Sequence, residues 1–223
     1  MNSYINSTIF KKLIATLSGL FLVIFLIGHL IGNLQLIFLS SEIAQKQFNE
    51  YALFMTTNPM VKLLSYLTYI SIIIHVLLTI TLSIQSKQSR DIPYQTLNHK
   101  NSSSWISRNM SLLGVIIFIF ILVHMKSFWY EMHFGEIGYD SWGNKDLYSI
   151  TVMAFQAPLY TLFYIFSILI IGMHLYHGIA SSFQTIGLKS RNYINIIERI
   201  SKILTVAITI GFVMIPIIIY FRT

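Results

Sequence analysis

Cysteine is absent from this 223-residue chain, and charge is scarce: Lys, Arg, Asp and Glu make up 10% of it, against about 25% in an ordinary soluble domain. Without cysteine there is no disulfide, no iron–sulfur cluster, no c-type haem attachment and no thiolate zinc site, so any metal chemistry rests on histidine. No carboxylate falls inside the apolar runs, which removes the usual part of a transporter or proton channel. The ten-residue polar–apolar alternation of a membrane β-barrel is missing, and so are a GxSxG nucleophile motif, internal repeats and low-complexity tracts.

What is present is apolar. Hydrophobic residues make up 55% of the chain, and a hydrocarbon core about 30 Å thick needs roughly 20 of them per helix. Five runs qualify, at about 12–39, 59–85, 108–130, 158–185 and 199–221. The first is too long for a signal-peptide core and lacks a small-residue cleavage site, so it reads as a retained helix. The expected fold is an all-α integral membrane bundle of five transmembrane helices, one domain over residues 1–223. If the N-terminus is cytoplasmic, the inside segments hold ten Lys and Arg and the outside segments five, which sets the N-terminus inside and the C-terminus outside. The net charge of +7 is then a topology signal rather than a nucleic-acid footprint.

Four of the runs carry a histidine deep inside: His29 in FLIGHLIGNLQL, His75 in SIIIHVLLTI, His124 in IFILVHMKSF and His174 in LIIGMHLYHG. His29 lies 17 positions past Lys12, and His124 16 past Arg108, both counted from the inside. His75 lies 16 past Pro59, and His174 16 past Pro158, counted from the outside. Antiparallel neighbours turn these matching counts into two layers, His29 with His124 near the outer face and His75 with His174 near the inner, roughly 15–18 Å apart. Two facing imidazoles at each of two depths is what two bis-histidine b haems stacked across a bilayer require. A single intramembrane histidine equally serves by bonding a neighbouring helix, and that packing role stays open for each one. Haem propionates at the inner face would find Arg108, Trp105, Ser18 and Lys12, with Ser107, Lys189 and His177 nearby. His99 and His133 fall in polar loops and read as solvated.

The segments KKLIATLSGLFLVIFLIGHLIGN (11–33), FNEYALFM (48–55), SWISRNMSLLG (104–114) and HLYHGIASSFQTIG (174–187) resemble the cytochrome b membrane-anchor subunit of bacterial succinate dehydrogenase and fumarate reductase, in its five-helix, single-chain, di-haem form. The resemblance covers nearly the whole chain. It implies that His29, His75, His124 and His174 are axial haem ligands, paired as the depths pair them. It implies a succinate:quinone oxidoreductase, respiratory complex II, in the bacterial cytoplasmic membrane. A flavoprotein with FAD and an iron–sulfur subunit would dock on the cytoplasmic face, and this chain would pass electrons to membrane quinone, menaquinone being the usual carrier. It would have no succinate chemistry of its own. The quinone is expected near the outer haem, with Glu50 as the proton group. The docking surface is expected on the N-terminal segment and on the loops 87–108 and 187–199, where positive charge would meet an acidic partner or lipid headgroups. The alternatives are a di-haem cytochrome b of another respiratory complex, such as a hydrogenase, and a histidine-lined transporter.

Overall fold

A backbone in hydrocarbon can satisfy its N–H and C=O groups only by coiling, and all five runs are helical. The computed structural model describes residues 7–38, 40–89, 104–188 and 193–222. In chain order the elements are α1 (Thr8–Phe38), α2 (Ser41–Thr57), α3 (Pro59–Gln88), α4 (Trp105–Arg108), α5 (Met110–His124), a π-helical turn (Met125–Tyr130), α6 (Glu131–Phe134), α7 (Leu147–Gln156), α8 (Pro158–Thr185) and α9 (Ile194–Phe221). Among the described residues five are long and apolar enough to cross a membrane: α1, α3, the continuous run Met110–Phe134, α8 and α9. The expected all-α, five-helix membrane architecture is the one found. The helix starts differ most at α1, which begins at Thr8 rather than 12, and at α9, which begins at Ile194 rather than 199. Hydropathy sees the apolar stretch but not the polar first turn that leads into it.

Local chemistry marks several ends. Asn58 caps α3, its side-chain oxygen accepting from the backbone N–H groups of Met60 and Val61, with Pro59 in the first turn where its missing N–H is no loss. Pro158 opens α8 in the same way, and Gly187, at φ +79°, turns the chain out of that helix.

Helix α1 is the central post, packed on α3, α8 and α9. Helix α8 lies between α9 and α5, and the approach of α8 to α9 depends on Gly172, where a Cβ would stand 2.5 Å from Thr209 Oγ1. The seam between α3 and α5 is thin. It is pinned at one end by Ser83 Oγ and Ser111 Oγ, 2.8 Å apart, and at the other by the Tyr69 ring edge-on to Trp129. At the end of the bundle where α1 finishes, Arg222 donates Nη1 to Leu36 O (2.8 Å) and Nη2 to Ile37 O (2.6 Å), closing carbonyls that the last turn of α1 leaves open.

That same end carries a cap that hydropathy does not reveal. Helices α2 and α7 lie together, joined by a polar knot centred on Asn49, which is fully buried. Its Nδ2 donates to Asp140 Oδ2 (3.0 Å) and Asp146 Oδ1 (2.9 Å), and its Oδ1 accepts from Tyr148 N (2.9 Å). Gln45 and Ser149 complete the shell around Asp146, while the backbone N–H groups of Trp142 and Asn144 hold Asp140. Burial by itself would raise both carboxyls, but these donors outweigh it and hold both below the usual carboxylate range, Asn49 leading at Asp140 and Ser149 at Asp146. A depressed folded pKa gives stability that is whole above the unfolded value of about 4 and drains away as the pH falls through the lower folded value. Amide exchange in α2 should therefore stay slow down to about pH 4 and quicken below it, while α8 is unaffected. Equal loss of protection in both helices would show that the knot does not hold the cap.

Candidate functional site

The four intramembrane histidines meet in twos. His29 on α1 faces His124 at the end of α5, ring centroids 5.6 Å apart and planes at 89°. His75 on α3 faces His174 on α8 at 6.3 Å and 73°. Gly19 is what lets His75 lie against α1, since a Cβ there would stand 3.0 Å from His75 Cε1. Gly19 precedes His29 by ten residues on one helix, so the pairs sit roughly 15 Å apart in depth. The His29–His124 pair is at the cap end and the His75–His174 pair at the far end.

Each imidazole is oriented differently. His75 Nδ1 donates to the Ala15 carbonyl at 3.0 Å, with Ser18 Oγ at 3.4 Å. His124 Nδ1 lies 3.1 Å from the Tyr164 hydroxyl, which also accepts from Tyr160 at 3.0 Å. Among the described residues the polar group that meets His29 Nδ1 is the Asn33 amide nitrogen, at 3.4 Å, and that nitrogen also donates to His29 O at 2.7 Å. His174 Nδ1 is buried without a hydrogen-bond partner among the described residues. Around the cap-end pair the packing is aromatic: Phe25 stacks on His29, Phe212 leans on it, and Phe120 and Phe128 flank His124.

All four histidines line one continuous cavity of about 2050 Å³. Small-molecule pockets run to roughly 300–1,000 Å³, so this one has space for more than a single ordinary ligand. Its walls are mostly apolar, and Gly114 and Gly178 face it with nothing within 4 Å of where a Cβ would lie. Polar groups gather at its two ends. The far end has Lys12, Ser107, Ser111 and His177, and the cap end has Asn33, Tyr51, Tyr69, Trp129, Thr151 and His133. Among the described residues no group of three or more His, Cys, Asp or Glu could hold a metal ion. Two neutral imidazoles facing across a gap instead suit a metal that brings its remaining ligands with it.

The other expected site residues fall unevenly. Lys12 and His177 line the cavity, Ser18 touches His75, and Trp105 and Arg108 stand on α4 outside the lining. Glu50 is exposed and also outside the lining, whereas its neighbour Tyr51 reaches in. Gly32 makes that reach possible, because a Cβ there would stand 2.5 Å from the Tyr51 hydroxyl oxygen. Burial pushes the Tyr51 phenol above its ordinary value, so at neutral pH it is a hydrogen-bond donor. Lys189, His99 and most of the 87–108 loop lie outside the described residues.

His133 is a correction: it sits in helix α6, not in a loop. It stacks on Trp129 at 4.5 Å, donates Nδ1 to Trp129 O at 2.8 Å and, though exposed, lines the cavity mouth. The π-helical turn before it is the cause. Hydrogen bonding from i to i+5 brings residues five apart onto one face, so Trp129 follows His124 toward the cavity instead of turning away.

No family model matches this chain, and no curated protein or solved structure matches it.

Proposed function

We propose that this chain is the membrane-spanning di-haem cytochrome b of a succinate:quinone oxidoreductase, anchoring a flavoprotein and an iron–sulfur subunit and passing electrons between them and membrane quinone. The observation that carries this reading is the stacking of two imidazole pairs in one apolar cavity. Two imidazoles on opposite sides of one iron, at about 2 Å per nitrogen bond, have centroids roughly 6 Å apart, and the observed gaps are 5.6 and 6.3 Å. The cavity volume and the open positions at Gly114 and Gly178 leave space for the two macrocycles. The resemblance of the GHLxGN and HGxxSxFQxxG segments points to the same family.

Haem, when bound, supplies a one-electron carrier. The residues do the rest. His29 and His124 would hold one iron and His75 and His174 the other, with the Ala15 carbonyl and the Tyr164 hydroxyl fixing the rings of His75 and His124. Phe25, Phe120, Phe128 and Phe212 keep water from the cap-end pair. Lys12, Ser107 and His177 lie where propionates of the far-end haem would need donors, with Arg108 and Trp105 on the adjoining helix.

The excess of Lys and Arg supports a far end facing the cytoplasm, where the partner subunits would dock, and a cap end facing outside. At the cap end Tyr51 and Asn33 offer donors to a quinone carbonyl one turn beyond His29. Exposed Glu50, beside Tyr51, would exchange the proton with bulk water.

The test uses the haem-loaded, detergent-purified chain and a short-chain naphthoquinol, a menaquinol analogue. Quinol should reduce the haems. Tyr51→Phe should slow this by about tenfold, the worth of one lost hydrogen bond, and Glu50→Gln should slow it as well, both with haem content kept. An unchanged rate in Glu50→Gln removes that residue from the path, and failure of quinol to reduce the loaded protein removes the quinone.

A further inference from the structure

Each imidazole pair contains one ring with a firm acceptor on Nδ1 and one without. At the far end the firm ring is His75, on a backbone carbonyl, and at the cap end it is His124, on a phenol. A neutral imidazole that ligates through Nε2 must carry its proton on Nδ1, so His124 is the donor and Tyr164 oxygen the acceptor. His29 offers no alternative, since the group facing its Nδ1 is an amide nitrogen tied to the His29 carbonyl. Tyr164 is therefore the acceptor on which the cap-end pair depends among the described residues.

Tyr164 cannot easily move. It is buried and caged by Phe120 (4.9 Å, 76°), Phe155 (5.0 Å, 82°) and Tyr160 (4.7 Å, 34°). Tyr160 also donates its own O–H into the Tyr164 oxygen, so that oxygen accepts from two donors. A hydroxyl oxygen that already accepts one hydrogen bond is a poorer acceptor for a second.

We propose that Tyr164 is the positioning residue that sets the electron-donating strength of His124, and that Tyr160 tempers it. This rests on the haem reading above. A stronger pull on Nδ1–H makes the imidazole a better donor and favours oxidised iron. The two hydroxyls should then act in opposite directions. Tyr164→Phe keeps the ring and its cage but removes the acceptor, so the cap-end haem should become easier to reduce. Tyr160→Phe frees the Tyr164 oxygen for His124, so the same haem should become harder to reduce.

The experiment is a spectroscopic redox titration of the purified full chain, with each Tyr variant also made in a His75→Ala background that leaves only the cap-end haem. Tyr164→Phe is expected to raise the reduced-to-oxidised ratio at fixed potential by about tenfold, about 59 mV for one electron. Tyr160→Phe should give a smaller shift of the opposite sign. Unchanged midpoints in both variants, or shifts of the same sign, overturn the proposal while leaving the haem reading intact. If Tyr164→Phe loses the cap-end haem, Tyr160→Phe decides alone: a lowered midpoint sustains the proposal and an unmoved one overturns it. Absence of haem from the folded parent chain defeats the functional reading itself, a result distinct from any of these.

Discussion

His29→Ala is expected to cut the haem bound per chain to half, and His75→Ala to remove the other half, with none left in the double variant. Each iron would be gripped by two imidazoles from different helices, and the cavity around them is mainly apolar. The lost nitrogen therefore has no ready replacement on the protein: among the described residues no group of three or more His, Cys, Asp or Glu could hold a metal ion. Loss of an outer-shell partner of a metal ligand commonly costs 10–100-fold in affinity, and loss of the ligand itself should cost more. The remaining haem should keep its low-spin b-type spectrum, because the pairs are roughly 15 Å apart in depth and share no ligand. Haem counted per chain from a reduced-minus-oxidised spectrum reads the result. Full haem in His29→Ala and His75→Ala, or none in a folded parent chain supplied with haem, would return the four histidines to packing or proton movement.

Asn49→Leu is expected to undock the cap. The side chain is fully buried and makes three hydrogen bonds, two to carboxylates and one to the backbone of α7. Leucine keeps the bulk and removes every donor and acceptor. Asp140 and Asp146 would then face each other with fewer donors, and the Tyr148 N–H would be buried with no partner. Hydrogen bonds to charged groups are worth about 1.5–3 kcal/mol each, so the cap should lose roughly 3–5 kcal/mol. Much of that should appear as local opening of α2 and α7 rather than melting of the five spans, which are held by their own contacts. Limited proteolysis should cut α2 in the variant and spare it in the parent. Asn49→Asp is the sharper control, since it places a third carboxylate in the knot and should be worse than leucine. An α2 that resists protease in both variants would mean the cap is held by its apolar faces alone.

The five spans and the histidine depths were legible because both follow from counting. Hydrocarbon thickness fixes the length of a run, and rise per residue fixes where His29 and His124 can meet. Helices α2 and α7 escaped because neither is long and apolar enough to resemble a span, and the polar faces that hide them from hydropathy are the faces that knot them together. Yet the phase of α2 was written in Ala44, Phe48 and Ala52, four residues apart and all buried. That phase turns Glu50 to the surface and Tyr51 inward, so of the two neighbours in FNEY it is Tyr51 that lines the cavity wall. The π-helical turn had no sequence signal at all, since one extra residue per turn costs nothing in composition. Trp129, His133 and the Tyr160–Tyr164 contact therefore had to be found in three dimensions.

Arg222 closes the carbonyls of α1 from 185 residues further along the chain. A ribosome adding about 5–20 residues per second needs roughly 10–40 s to make that stretch. During that interval the end of α1 waits for a partner that does not yet exist. Helix α1 is thus made well before the residue that fastens its end, and its last turn is completed only when α9 has been synthesised.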